Sequence, residues 1–186
     1  MRFLNLYLRS RQVPTALAAA FGAAAAFWLV GVGSPEHARW TLAVLAIGFG
    51  VAVFGAGLGG ADPDLERTAA FSWPPRRLGH ILAVMGLVAV AVAATGMAPI
   101  EVVLRDAFGL AGLTALGAAI LGKQLSWCFP LVWAGGSAVF PSMSEPALMQ
   151  ALTWPTQPPN STIAVVTALI AGAGGLLAYV ITGSRR

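Results

Sequence analysis

The chain has 186 residues, of which 58% are hydrophobic and only 10% charged, and its mean hydropathy is +0.78. A soluble domain has about a quarter charged residues, so this chain has too few polar side chains to cover an ordinary core. Its net charge of +4 comes without a long basic run or an aromatic-basic platform, which argues against a nucleic-acid partner. Composition therefore predicts an all-α integral membrane protein.

Six apolar stretches predict six transmembrane helices within a single domain spanning residues 1–186, because about 20 apolar residues cross a hydrocarbon core of roughly 30 Å. The fourth stretch is apolar from Ala107 onward and is extended back to include its charged start. Pro130 falls inside the fifth stretch and predicts a kink there. The predicted spans are 13–32, 40–59, 78–97, 103–122, 124–140 and 163–182.

The distribution of basic residues predicts the orientation. With both termini in the cytoplasm and six crossings, only Arg39 and Arg105 fall outside. The other nine basic residues fall inside, as the positive-inside rule requires. They are Arg2, Arg9, Arg11, Arg67, Arg76, Arg77, Lys123, Arg185 and Arg186.

Two segments outside the spans have a helical character of their own. Residues 1–12 alternate apolar and basic side chains, which suits an amphipathic helix in the inner interface of the bilayer; a basic tail that only sets topology is the alternative. Between the second and third spans, Asp62 is suited to cap a short helix that ends at Trp73-Pro74-Pro75. Its acidic first turn and exposed aromatic suggest a docking surface for a cytoplasmic partner, and an inert interfacial turn is the alternative. The predicted contact residues are Asp62, Asp64, Glu66, Arg67 and Trp73.

The connection between the fifth and sixth spans lacks basic residues and is expected to lie outside the cell. A helix of one or two turns is predicted within 144–153, with Leu148, Met149 and Leu152 on one face and Trp154 at the interface. This segment is apolar on one side and is therefore expected to dip back toward the bilayer. Irregular backbone at that depth is tolerated only where protein or water covers it.

Catalytic and metal-binding constellations are not found in the sequence. His37 and His80 are predicted on opposite sides of the membrane, Cys128 is the single cysteine, and no phosphate-binding loop is present. We therefore expect no enzyme activity, cofactor or metal in this chain. Glu101 and Arg105 have the i, i+4 spacing of a helical ion pair, either at the mouth of a pathway or as an interfacial anchor.

Polar and aromatic residues concentrate in the fifth span, around the expected kink. Such side chains turn away from lipid, so they either line a transport pathway or pack against other helices. The four candidates are Ser126, Trp127, Trp133 and Ser137. Small residues also recur at helix-packing spacing, as in Ala168 with Gly172 and Ala171 with Gly175.

The order of these elements resembles the membrane subunit of an ATP-binding-cassette exporter of the six-helix, type V kind. The stretches DPDLERTAAFSWPPRRLGHILA and GKQLSWCFPLVWA resemble small actinobacterial permease-like proteins that are paired with separate ATPase subunits. The resemblance implies that the Asp62–Trp73 segment is a coupling helix and that ATP and Mg are bound by the partner. It also implies a second permease chain, the same or different, in the cell membrane. A non-transporting scaffold or assembly subunit is the alternative, and the absence of a carboxylate in the middle of a predicted span disfavours an ion-coupled transporter or small channel.

The topology is tested with single cysteines in a Cys128→Ser background. Cysteines at Ser10, Ser72 and Ser184 are expected to be shielded from an impermeant thiol reagent added to intact cells, and a cysteine at Ser142 to be labelled. Labelling at Ser184 without labelling at Ser10 would require an odd number of crossings and contradict the topology.

Overall fold

The computed structural model describes residues 13–58, 73–140 and 146–184. The predicted interfacial helix at 1–12 and most of the predicted coupling helix lie outside these ranges. Within them the chain forms seven α-helices, no strand and two 3₁₀ turns, Ala56–Leu58 and Trp154–Thr156. The helices are α1 Val13–Gly31, α2 Glu36–Gly55, α3 Trp73–Ala93, α4 Ile100–Ile120, α5 Cys128–Val139, α6 Ala147–Leu152 and α7 Thr162–Thr182.

Five of these helices, α1 to α4 and α7, are long and apolar enough to cross a membrane. Large apolar side chains also face outward, among them Val90, Ile170 and Leu177, each more than 60% exposed. A soluble monomer rarely exposes apolar surface on this scale. The chain is therefore an all-α membrane protein.

The start of α3 differs from the prediction in a way that changes the preceding loop. The helix begins at Trp73 rather than near residue 78, so Pro74 and Pro75 lie in its first turn. Proline is tolerated there because the first N–H groups of a helix have no intrahelical partner. The expectation that α3 begins only after Trp73-Pro74-Pro75 is wrong, because these three residues form its first turn; the end of the predicted loop helix lies outside the described residues.

The fifth span is shorter than expected. α5 has 12 residues and is thus about 18 Å long, because residues 124–127 form turns instead of helix. Pro130 is the third residue of α5, a position where its missing N–H breaks no hydrogen bond. The predicted kink at Pro130 is therefore wrong.

The core of the bundle lies between α2 and α4, whose faces toward each other are almost fully buried. Val44, Ile47 and Val51 of α2 and Val103 and Leu110 of α4 are at most 1% exposed. α3 and α7 pack around this pair, and α1 packs mainly on α2 and otherwise faces outward.

Glycines let the backbones of α4 and α7 touch. A methyl group at Gly112 would overlap the backbone of Gly172, and one at Gly175 would overlap the carbonyl of Gly112. The expectation that Gly172 and Gly175 belong to helix-packing surfaces is confirmed.

Two ends of the bundle are defined by contacts between distant parts of the chain. At the first, the Tyr179 hydroxyl donates to the Leu58 carbonyl and Arg77 donates to the Val180 carbonyl at 3.4 Å. We call this the Arg77 end. At the second, Gly31 lies against Arg39 and Met97, and we call it the Arg39 end.

The close approach of α4 and α7 generates a stability prediction. Gly175→Ala is expected to lower the free energy of unfolding by about 1–3 kcal/mol, the usual cost of overpacking. Gly174→Ala is the matched control, because a methyl at Gly174 meets nothing within 4 Å. Detergent-denaturation curves of both variants measure the difference, and equal stabilities would show that α4 and α7 do not meet at Gly112.

Candidate functional site

The chain folds back into the bundle between α5 and α7. We call Ala147–Pro158 the return segment. Its first part, α6, exposes Leu148 and Leu152, whereas Trp154 is completely buried. The Trp154 ring lies against Gly109, the tenth of the 21 residues of α4. The prediction that Trp154 lies at the membrane interface is therefore wrong, because the segment enters the bundle nearly to the middle of α4.

Arg105 holds this segment in place. Its Nη1 donates to the carbonyls of Gln157 (3.0 Å) and Pro158 (3.2 Å), and its Nη2 donates to the carbonyl of Pro155 (2.9 Å). Its Nε donates to Asp106 Oδ1 at 2.8 Å. A buried carbonyl without a partner costs free energy, so one guanidinium satisfies three acceptors of an irregular, proline-rich backbone.

The ion pair differs from the one predicted. Arg105 pairs with its neighbour Asp106, and both side chains are buried, whereas Glu101 is exposed. The return segment occupies the side of α4 to which Arg105 turns. The predicted pairing of Glu101 with Arg105 is therefore wrong.

Hydroxyl groups tie the return segment to itself and to α5. Thr153 Oγ1 donates to the Met149 carbonyl at 2.7 Å and accepts from Gln157 Nε2 at 2.9 Å. Ser137 Oγ donates to the Trp133 carbonyl at 2.7 Å, and Thr156 Oγ1 lies 3.5 Å from the Ser137 carbonyl. These bonds satisfy polar groups that apolar surroundings would otherwise penalise.

Two buried polar atoms at this site have no hydrogen-bond partner in the described part of the chain: Asp106 Oδ2 and Trp154 Nε1. Asp106 lies three residues before Gly109 on α4, and the six-membered ring of Trp154 covers Gly109. Orphaned buried groups cost stability. Each of these two atoms therefore lowers the stability of the fold unless another molecule supplies a hydrogen-bond partner.

A cavity of about 320 Å³ lies between α5 and the return segment. Its walls are mostly apolar, and Trp133 Nε1 has no hydrogen-bond partner among the described residues. Val132 and Phe140 at its edge are strongly exposed. Lining residues include Val132, Trp133, Ser137, Phe140, Met149 and Leu152.

The structure separates the four residues predicted to line a pathway. Trp133 and Ser137 line the cavity. Ser126 is buried at the Arg77 end, against Gly55 and Gly117, and donates to the Lys123 carbonyl at 2.9 Å. Trp127 is half exposed.

The residues predicted to contact an ATPase lie mostly beyond the described part. Trp73 is the first residue of α3. Asp62, Asp64, Glu66 and Arg67 fall outside the described residues.

No protein-family model matches the chain, and no curated protein or solved structure matches it either. The site therefore has to be interpreted from its own chemistry. The contact of Arg105 with the return segment was not predicted from the sequence. One signal for it exists: the run WPTQPP (154–159) contains three prolines without N–H groups, so its carbonyls need a donor from elsewhere.

Arg105 is expected to be the largest single polar contribution to stability. Arg105→Met removes the three hydrogen bonds that Arg105 donates to the return segment and leaves Asp106 buried without its cation, so the free energy of unfolding is expected to fall by about 3 kcal/mol. The double variant Arg105→Met/Asp106→Asn is expected to recover part of this loss. Glu101→Gln is the control and is expected to change little, and a loss there equal to that of Arg105→Met in the same denaturation assay would contradict the assignment.

Proposed function

We propose that the chain is the membrane subunit of an ATP-binding-cassette exporter that moves an amphipathic or apolar substrate with ATP hydrolysed by a separate subunit. The observation that carries the proposal is the return segment. Its place in the chain, as a semi-apolar connection between the fifth and sixth spans, resembles the arrangement in such permeases, and it is folded into the bundle beside a mostly apolar cavity.

The proposal includes six crossings with both termini in the cytoplasm. α5 starts beside Ser126, which touches Gly55 and Gly117 near the ends of α2 and α4. It is too short to cross the hydrocarbon core alone, and the return segment fills the remaining depth. Together they form the fifth crossing, with α7 as the sixth.

Charge on the described residues favours placing the Arg77 end in the cytoplasm. That end carries Arg76, Arg77 and Lys123, while Glu36 and Glu101 are exposed at the other end. The remaining basic residues of that other end are Arg39 and the ion-paired Arg105. This asymmetry follows the positive-inside rule.

Transport in this proposal needs no catalytic group in the chain. The loop that ends at Trp73 docks on the ATPase, which binds ATP and Mg. A second permease chain completes the pathway. The cavity walls at Trp133 and Ser137 suit a substrate with a large apolar part, since the cavity lining includes no charged side chain among the described residues.

Co-purification tests this function. A tagged chain purified in mild detergent from its own cells is expected to bring a polypeptide with Mg-dependent ATPase activity. Reversing the charges at Asp64, Glu66 and Arg67 together is expected to release that partner. Trp73→Ala is expected to weaken binding about thirtyfold, the effect of losing a buried aromatic anchor of about 2 kcal/mol.

The control reverses the exposed charges at the opposite end, with Glu36→Lys and Glu101→Lys, and is expected to leave the partner bound. Undiminished association in both loop variants would show that the loop is a plain connector. Purification without any ATPase would favour the scaffold or assembly role.

A further inference from the structure

A second cavity, of about 220 Å³, lies at the Arg39 end, away from the return segment. It lies where α1 ends, α2 begins and α3 ends. Its walls are far more polar than those of the first cavity, because loop residues and Arg39 line it beside the side chains of Trp28, Val32 and Met97. The lining includes Trp28, Gly31, Gly33, Arg39, Thr95 and Gly96.

Arg39 is the unusual residue of this cavity. Within the described residues its guanidinium takes part in no hydrogen bond or ion pair, and its Nε is buried without a partner. Glu36, one turn earlier on the same helix, is exposed and does not pair with it. Arg105 shows the contrast, because its Nε and both Nη atoms all donate hydrogen bonds.

The surroundings explain why a cation lies here, but the described residues supply no acceptor for the hydrogen bonds of the guanidinium. α1 and α3 both end at the cavity, and the partial negative charge of helix C-termini attracts a guanidinium. Thr95 Oγ1 is already used, donating to the Val92 carbonyl at 2.6 Å. The N–H of Gly33, in a left-handed turn at φ 79°, donates no backbone bond in the described part.

Two of the described groups that line the cavity are unused donors, the Arg39 guanidinium and the Gly33 N–H. Arginine presents a planar fork that binds carboxylate or phosphate oxygens with two parallel hydrogen bonds. Gly33 lines the same cavity, and its N–H is a second unused donor. A ligand that brings negatively charged oxygens satisfies both groups and neutralises the guanidinium.

The residues at the outer edge of this cavity indicate which kind of molecule supplies the negatively charged oxygens. Trp28 and Val32 line the cavity and are 44% and 62% exposed. The neighbouring Leu29 and Val30 continue this apolar, outward-facing surface along α1. Tryptophan prefers the level of lipid headgroups, so a headgroup in the cavity would leave its acyl chains lying along α1.

We propose that the cavity at the Arg39 end binds the phosphate group of an anionic phospholipid, held by the Arg39 guanidinium and the Gly33 N–H beside Trp28. The lipid would tie the ends of α1 and α3 to the start of α2. This site is independent of the transport proposed above, and it requires neither an ATPase nor a second chain.

Native mass spectrometry of the delipidated protein in detergent tests the proposal. Three probes separate the sources of the ligand: dioleoyl-phosphatidylglycerol, dioleoylglycerol with the same chains and no phosphate, and inorganic phosphate. One phosphatidylglycerol is expected to bind, and Arg39→Gln is expected to weaken it at least about tenfold through loss of a charge-assisted contact. Arg39→Lys is expected to retain part of the affinity, because charge remains and the fork is lost.

Arg76→Gln is the matched control, since it removes the same charge from an exposed residue at the Arg77 end, and it is expected to leave binding unchanged. Unfolding midpoints without lipid establish that the variants are folded. Equal phosphatidylglycerol binding by wild type and Arg39→Gln, or equal losses in Arg39→Gln and Arg76→Gln, would overturn the site. Binding of inorganic phosphate that displaces the lipid would assign the cavity to a free anion and overturn the lipid assignment.

Discussion

Backbone carbonyls inside an apolar bundle need donors, and Arg105 supplies them for the return segment. Inside a bilayer no water is available to an irregular stretch of chain, so such a stretch persists only where protein satisfies its polar groups. Arg105 reaches the carbonyls of Pro155, Gln157 and Pro158 while Asp106 neutralises its charge. The packing around α5 depends on this arrangement, because the return segment that Arg105 holds contacts α5 at Ser137.

α4 accommodates three different neighbours through three glycines. Gly109 leaves room for the Trp154 ring, Gly112 for the backbone of α7 and Gly117 for the turn at Ser126. A helix with 3.6 residues per turn presents these positions in different directions. The same helix therefore receives the return segment, a spanning helix and the start of α5, which explains why it is among the most deeply buried elements.

The two arginines at the Arg39 end have different roles because their surroundings differ. Arg105 is buried and its donors are used within the chain, so it serves the fold. Arg39 lies beside a polar cavity and has no partner among the described residues. Its N–H donors are therefore available to a molecule outside the chain. Arg39 is half-buried and its Nε is buried without an acceptor, an arrangement that costs free energy unless another molecule supplies one.

The sequence by itself determined the class of protein and most of the spans. A chain with 10% charged residues has no alternative to lipid as its surroundings, and long apolar stretches indicate helices because no other open structure satisfies its backbone in a bilayer. The small residues at Gly172 and Gly175 also indicated helix contact.

The spacing of neighbouring residues gave wrong predictions where the hydrogen-bond partners are distant in the chain. The i, i+4 spacing of Glu101 and Arg105 suggested an ion pair, but the burial of the return segment 50 residues away turned Arg105 toward carbonyls that no local rule connects with it. The position of Pro130 within an apolar stretch predicted a kink, but residues 124–127 form a turn, so Pro130 lies in the first turn of α5. Only the tertiary structure decided which polar groups meet, because those partners are chosen by the need to satisfy buried atoms across the whole bundle.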